Sequence, residues 1–397
     1  MSAPPFDPEA PLPGPPEPWD STHQPVPRGG PPYHMTDMIA AEPALAERLL
    51  GRLAAPDGGA ARLAAAIRAA ARADEPILVT GCGTSEHGAL GVADIVGEAM
   101  AGAGVAGPRP VAAQALELAL DPPSRALVIG ISHEGATAAT NRALETSRAA
   151  GARTALVTVS DRSPGAALAD ILVTTEELDQ SWCHTVGYVS PLLAATAVGA
   201  HLRGVPVDPA IVRRSMAAGV DDAPLAEAIA AALADARHLI VTGSGADRTA
   251  GRELTLKIEE AAWIPTAYRD LETFLHGHLP ATGHATGLVL VMAERRARPE
   301  RIVRASQVLA AAGAVGVRCA AIVSREVADA LQPALTPAGR LVVPEAPNLS
   351  PAVAALIGTA TRLQLLTERI ARARGTDPDP IRRDDQRYRA AAALAEG

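Results

Sequence analysis

The chain has 397 residues, 48% of them hydrophobic, which is enough to fill two ordinary hydrophobic cores. Its net charge of −8, with no basic tract, excludes a protein that binds DNA or RNA by neutralising phosphates. Three Trp, four Tyr and two Phe are too few for a surface on which unpaired bases stack. We therefore expect a globular protein whose cores consist of Ala, Val, Leu and Ile.

The cysteines Cys82, Cys183 and Cys319 are scattered and odd in number, which favours a reducing compartment over a disulfide framework. No apolar run reaches the roughly 18 residues that span a bilayer. The N-terminus also lacks the basic and then apolar segments of a signal peptide. The sequence thus predicts a soluble, cytoplasmic protein without a membrane partner.

Residues 1–33 contain twelve of the 34 prolines and no apolar periodicity, which predicts a disordered or linker-like leader. The folded part is expected to begin between Tyr33 and Met38, with a helix over about 37–53. Short apolar runs then alternate with Ala-rich helical stretches. This is the pattern of an α/β protein, in which a mostly parallel sheet has helices on both faces.

The predicted strands of the first half are 77–80, 126–131, 154–159 and 171–175, and its helices are about 85–101, 136–150, 163–169 and 184–203. The layout returns in the second half, with strands 239–242, 288–292, 320–323 and 341–343 and helices about 247–262, 299–313 and 351–373. The letters repeat as well: Ile77-Leu-Val-Thr-Gly-Cys-Gly83 matches Leu239-Ile-Val-Thr-Gly-Ser-Gly245 at an offset of 162 residues. We predict two similar three-layer α-β-α domains, 34–206 and 207–374, joined around 204–222 and followed by a charged tail, 375–397.

The first candidate site is the glycine turn Gly81-Cys82-Gly83-Thr84-Ser85, which leaves a predicted strand and opens a helix. Backbone N–H groups at a helix start, helped by two hydroxyls, favour an anion. A dinucleotide site needs a third glycine where Glu86 stands, and the lysine of a phosphate-cradling loop is absent, so both nucleotide interpretations are disfavoured. The alternative is that these glycines only permit a tight turn.

The second candidate, Ser132-His133-Glu134-Gly-Ala-Thr137, also joins the end of a predicted strand to a helix. Ligands of open α/β sheets bind outside the carboxyl ends of the strands. We therefore expect both motifs to face one crevice. Helix capping by Ser132 or Thr137 is the alternative interpretation.

Two further motifs lie in the second half. Glu253, Lys257 and Glu260 fall within about 60° on one face of a helix, which suits a carboxylate base beside a cation that stabilises an oxyanion. A solvated row of ion pairs is the alternative. His276 and His278 occupy a glycine-containing turn, where a catalytic histidine is favoured over a metal ligand because no acidic or cysteine cluster accompanies it. A purely structural histidine stays open.

Together these motifs resemble the sugar isomerase (SIS) domain family, in particular the two-domain isomerase half of glucosamine-6-phosphate synthase and the stand-alone sugar-phosphate deaminases and isomerases. The resemblance covers about residues 36–383 and implies two SIS domains. It also implies an enzyme that moves a proton between C1 and C2 of a sugar phosphate, without a metal or other cofactor. The synthase's glutaminase domain has no counterpart, so glutamine amidotransferase activity is not expected.

The resemblance implies roles for individual residues. It assigns phosphosugar binding to two loops, which comprise Cys82, Gly83, Thr84 and Ser85, and Ser132, His133, Glu134 and Thr137. Glu260 would move the proton beside Lys257 and Glu253, and His276 would open the sugar ring. In the family this histidine comes from the neighbouring subunit, which implies a homodimer with shared active sites.

Two departures from the family pattern bear on the ligand. Glu134 replaces a hydroxyl residue of the family's phosphate loop, and a carboxylate about 4 Å from a unit negative charge costs roughly 1 to 4 kcal/mol. The tail, 375–397, which the resemblance implies lies near the active site, has Asp384-Asp-Gln-Arg-Tyr388 where the synthase has its imine-forming lysine. We expect either an isomerase or deaminating isomerase with a modified substrate preference or, as the alternative, a non-catalytic sugar-phosphate sensor.

Overall fold

The computed structural model describes residues 6–16, 19 and 26–396. The remainder of the predicted leader, residues 1–5, 17, 18 and 20–25, lies outside the described residues. The chain forms two compact units. The first comprises the described residues of 1–24, 41–179 and 186–213, and the second those of 25–40, 180–185 and 214–397.

The first unit contains a five-stranded parallel sheet with helices on its faces. Its elements are α1 (His34–Leu53, which begins in the second unit), α2 (Gly59–Arg72), β1 (Ile77–Gly81), α3 (Thr84–Gly102), β2 (Val111–Gln114), α4 (Ala115–Leu120), β3 (Leu127–Ile131), α5 (Ala138–Ala150), β4 (Arg153–Thr158), β5 (Ile171–Thr174) and α6 (Val186–Arg203). The strand order is β2-β1-β3-β4-β5. The central strand β3 is buried at every residue, as its uniformly apolar sequence requires.

The second unit repeats this topology. After α7 (Pro209–Val220), in which the chain leaves the first unit, come α8 (Ala223–Leu233), β6 (His238–Gly243), α9 (Asp247–Ala262), β7 (Thr266–Asp270), α10 (Leu271–Thr273), β8 (Thr286–Met292), α11 (Arg298–Ala314), β9 (Arg318–Ser324), α12 (Arg325–Ala330), β10 (Gly339–Val343), α13 (Pro351–Arg374) and α14 (Gln386–Glu396). The order β10-β9-β8-β6-β7 equals that of the first sheet when the strands are numbered along the chain. The predicted α/β class with two similar parallel sheets is confirmed.

The sequence patterns missed one strand in each unit. β2 and β7 each occupy a sheet edge, and none of their residues is buried. A strand whose residues are only partly buried or exposed needs no uninterrupted apolar run, so it leaves no such signal. The segment around 204–222, expected only as a joint, is mostly the helix α7.

The described leader residues differ from a free linker. Residues 6–16 contain no helix or strand, but Leu12 is buried and its N–H donates to Glu177 Oε2 at 2.9 Å. The N–H of Leu178 donates to the carbonyl of Pro13 at 2.9 Å, and Arg48 binds the Glu177 carboxylate at 2.7 Å. The buried Glu177 carboxylate requires donors, and the leader supplies one of them.

The tail is attached to the second unit by stacking. The Arg382 guanidinium lies 4.5 Å from the Trp263 ring centroid and 4.0 Å from that of Tyr388. Arg383 lies 4.8 Å from the ring of Trp182, and the backbone N–H of Trp182 donates to the Asp379 carbonyl at 3.0 Å. Among the described residues, no helix is both long enough and apolar enough to cross a membrane.

Candidate functional site

The first glycine turn is shaped by close backbone contacts. A Cβ on Gly81 would lie 2.5 Å from the Ser85 carbonyl oxygen and 2.9 Å from that of Ile131, and Gly83 has φ +57°. Both glycines are therefore needed for the turn itself. The helix α3 starts at Thr84 without a side-chain cap. The glycines thus permit the tight turn, which was the alternative interpretation of this motif. The turn also places the hydroxyls of Thr84 and Ser85 beside an uncapped helix start.

The second loop also ends at a helix start that no side chain caps. Thr137 precedes α5, and its side chain does not bond the helix N–H groups. The buried Ser132 hydroxyl instead donates to Thr137 Oγ1 at 3.3 Å. Helix capping by either side chain, the alternative interpretation, is therefore wrong.

The topology of the first unit brings the two loops together. β1 and β3 are hydrogen-bonded neighbours, and the loops leave their carboxyl ends. The Thr140 hydroxyl, one turn into α5, donates to Cys82 Sγ at 3.6 Å. In a sheet of order 2-1-3-4-5 the topological switch point lies between the first and third strands, and ligands bind outside the carboxyl ends of the strands there.

His133 connects the second loop to the segment after β5. Its Nε2 accepts the N–H of Asp179 at 2.9 Å, so that nitrogen carries no proton and the ring is neutral. Its carbonyl accepts the N–H of Val159 at 2.8 Å. His133 is buried, whereas the neighbouring Glu134 is half-buried. These contacts fix the loop that carries Ser132 and Glu134.

The second unit buries the charged row on α9. Lys257 and Glu253 are fully buried, whereas the Glu260 side chain is 21% exposed. Lys257 Nζ lies 2.6 Å from Glu260 Oε2 and 3.6 Å from Glu253 Oε1. A solvated row of ion pairs, the alternative interpretation, is therefore wrong. Buried charges cost free energy even when paired, so this arrangement is not a device for stability.

The electrostatics of the row suit proton transfer. Burial raises the pKa of the Glu260 carboxyl above its ordinary value. The charge and hydrogen bond of Lys257 oppose this rise, as does a hydrogen bond from the Cys183 thiol, whereas the charge of Glu253 adds to it. Burial alone would lower the pKa of Lys257, but the carboxylates of Glu260 and Glu253 raise it, so the side chain remains an ammonium. A carboxylate whose pKa is shifted towards neutrality, beside a permanent cation, can accept a carbon-bound proton and return it.

Sequence reasoning missed two residues that the fold brings to this row. Cys183 is buried and its thiol hydrogen-bonds Glu260. His184 has its pKa lowered to about 3, first by burial and then by the charges of Lys257 and Arg383, so its imidazole is neutral. Both residues lie in the segment 180–185, which belongs to the second unit although it precedes α6 of the first. No local pattern in the sequence indicates that crossing.

The structure places His276 at the surface, unlike the buried charged row on α9. Its side chain is 68% exposed, and its Nε2 lies 2.7 Å from Glu272 Oε1, which also pairs with Arg304 at 2.6 Å. The backbone kinks at His276 and at Gly277, whose φ is +115°. Within the described residues of one chain, His276 is thus held by Glu272 on the surface. No group of three His, Cys, Asp or Glu side chains in the described part of the chain could hold a metal ion.

Solved structures share this architecture over most of the chain. The C-terminal domain of glucosamine-fructose-6-phosphate aminotransferase from Francisella tularensis matches with a TM-score of 0.74 and 18% identity, covering 89% of this chain and 100% of that one. Tagatose-6-phosphate ketose/aldose isomerase from Escherichia coli matches with a TM-score of 0.68 and 16% identity, covering 87% and 95%. Glucosamine-6-phosphate deaminase from Thermotoga maritima matches with a TM-score of 0.65 and 13% identity, covering 87% and 96%.

These similarities define the fold. No family model matches the sequence, and no curated protein matches it. At 13% to 18% identity the three structures are similar to this chain in architecture. The chain therefore has the fold of two tandem SIS domains, as its motifs predicted.

Proposed function

We propose that the protein is a sugar-phosphate isomerase or deaminating isomerase that transfers a proton between C1 and C2. The observation that carries this proposal is the buried row on α9. There a fully buried Lys257 is flanked by two carboxylates, and only Glu260 is partly open to solvent. Three of the similar solved structures bear the names of an aminotransferase domain, an isomerase and a deaminase of hexose 6-phosphates, which supports the same substrate class.

The proposed reaction needs only groups of this chain. Glu260 removes the proton from C2 of the open-chain aldose, the electron pair moves to O1, and the enediolate is stabilised by the Lys257 ammonium. Glu260 then returns the proton to C1 while the proton of the C2 hydroxyl passes to O1, which yields the ketose. Glu253 keeps Lys257 charged and in place. Neither a metal nor a redox cofactor takes part.

The remaining assignments belong to the same proposal. Cys82 to Ser85, with Ser132, His133, Glu134 and Thr137, form the loops that bind the phosphosugar in the first unit. His276 opens the sugar ring for the neighbouring subunit of a homodimer, which accounts for its exposed position within its own chain. Three free cysteines fit a reducing cytosol as the compartment.

Deuterium exchange tests the proposal. The protein in D₂O is given hexose and amino-hexose 6-phosphates, and incorporation at C1 or C2 is followed by proton NMR. Glu260→Gln should abolish the exchange. Glu259→Gln is the matched control, because Glu259 is exposed and accepts the backbone N–H of Thr266 at 3.1 Å.

A non-catalytic sugar-phosphate sensor is the second candidate, favoured by the carboxylate of Glu134 in the phosphate loop. Thermal stabilisation by a sugar phosphate without any deuterium exchange would select the sensor over the isomerase. Exchange that persists in Glu260→Gln would contradict the assignment of Glu260 as the base.

A further inference from the structure

Each unit has its own switch point, and the two correspond residue by residue. Gly81 packs on the carbonyls of Ser85 and Ile131, and Gly243 packs in the same way on those of Asp247 and Val291. Strand register gives the same correspondence, because Thr80 pairs with Gly130 and Thr242 pairs with Leu290. The second unit therefore contains a copy of the two-loop site proposed to bind phosphate in the first.

One residue changes the chemistry of the second copy. Asp247, the first residue of α9, stands where the first unit has Ser85, the second residue of α3. Its Oδ2 accepts the backbone N–H groups of both Ala293 and Glu294, each at 2.9 Å. These two residues follow β8 as His133 and Glu134 follow β3. The carboxylate thus occupies the donors with which such a loop would bind an external anion.

The surroundings show that this carboxylate is held as an internal ligand. Asp247 is completely buried, and its Oδ1 has no hydrogen-bond partner among the described residues. Burial raises its pKa to about 7, against the two backbone N–H bonds and the charge of Arg301, which lower it. Leaving a buried carboxylate oxygen unpaired is costly, so the contact is not explained by local stability.

A cation accompanies the acid in the second unit, at a position that is neutral in the first. The Arg301 guanidinium lies beside Gly245 and donates to the Ser244 carbonyl at 3.4 Å. α11 starts 160 residues after α5, so Arg301 corresponds to Asn141, which is neutral. The pair Asp247 and Arg301 therefore replaces two neutral residues of the first unit.

We propose that the Asp247 carboxyl group is a built-in ligand, which fills the second unit's copy of the anion-binding loops and leaves only the first copy open to phosphate. The statement about the first copy rests on the proposed function, whereas the statement about the second does not. Asp247 then decides which of two similar sites in the chain takes a ligand. Removing its carboxylate should uncover a second site with Arg301 as a ready cation.

Phosphate counting tests this inference. Equilibrium dialysis with labelled inorganic phosphate gives the number of ions bound per chain for the wild type and for Asp247→Ser, which restores the residue of the first unit. We expect the variant to bind one phosphate more than the wild type. Asp247→Asn should bind no more than the wild type, because its amide still fills the position and its oxygen still accepts the two N–H groups.

The outcomes separate this inference from the proposed function. If the wild type binds no phosphate while Asp247→Ser binds one, the first unit's assignment fails and the role of Asp247 stands. Equal phosphate counts in Asp247→Ser and the wild type would overturn the role of Asp247. Asp247→Gly, which also empties the position, provides the same comparison if the serine variant does not fold. Two phosphates on the unaltered protein would overturn the inference without any variant.

Discussion

Replacing Lys257 by methionine tests whether the row on α9 is as buried as the structure shows. The substitution keeps the length and the apolar stem of the side chain but removes the ammonium. The fully buried Glu253 then loses the cation 3.6 Å away, and Glu260 loses its partner at 2.6 Å. Breaking a buried ion pair from one side costs about 3–5 kcal/mol, a large part of the about 5–15 kcal/mol that stabilises a folded protein.

Urea unfolding followed by far-UV circular dichroism measures this loss. We expect Lys257→Met to lower the free energy of unfolding by that amount. The double variant Lys257→Met with Glu253→Gln should recover most of it, because no uncompensated charge stays buried at position 253. A loss below about 1 kcal/mol in the single variant, the value of an exposed pair, would refute the burial of the row.

Three further predictions follow from single residues. The folded-state pKa of Asp247, about 7, lies above its ordinary value of 3.8, so its contribution to stability is complete below about pH 4 and is lost as the pH rises towards 7. Asp247→Asn should flatten that loss in urea unfolding at pH 5 and pH 7.5; an unchanged slope would contradict the burial of the charge. Glu134→Ser should tighten inorganic phosphate binding at least about 5-fold, since the carboxylate costs roughly 1 kcal/mol or more beside an anion, and an unchanged Kd would show that Glu134 points elsewhere. The Cys183 hydrogen bond lowers the pKa of Glu260, so Cys183→Val should shift the acidic limb of the pH–exchange profile to higher pH, whereas Cys183→Ser, which keeps a donor, should shift it less.

The central strands were predictable from the sequence because their apolar residues reflect their burial. β3 and β8 are buried at every residue, and both are mainly apolar, as strands covered on both faces are. The edge strands β2 and β7 face no such requirement. Both missed strands are the second strand of their unit, and the shared strand order places that strand at a sheet edge.

The site was predictable only in part, because spacing gives the face of a helix and not what covers it. Glu253, Lys257 and Glu260 were placed on one face from the sequence, but their burial depends on segments far away in the chain. Cys183 and His184 reach the row through a six-residue crossing of the chain into the second unit. An acidic residue in the first turn of a helix, as Asp247 is, has the sequence appearance of an ordinary favourable charge at a helix start.

The repeat itself supplies the strongest argument that Lys257 serves function. At the offset of 162 residues, Lys257 corresponds to Ile95 on α3, which is completely buried, and Glu253 corresponds to the buried Gly91. The fold thus accepts an ordinary apolar or small residue at both positions, and lysine is almost never fully buried without a reason. The second unit instead holds an ammonium and a carboxylate there, at a cost in stability that apolar residues of similar volume would not incur. Because the first unit shows that this helix packs without them, the charges on α9 support the proposed chemistry. The double variant Lys257→Met with Glu253→Gln should therefore regain stability without regaining proton exchange.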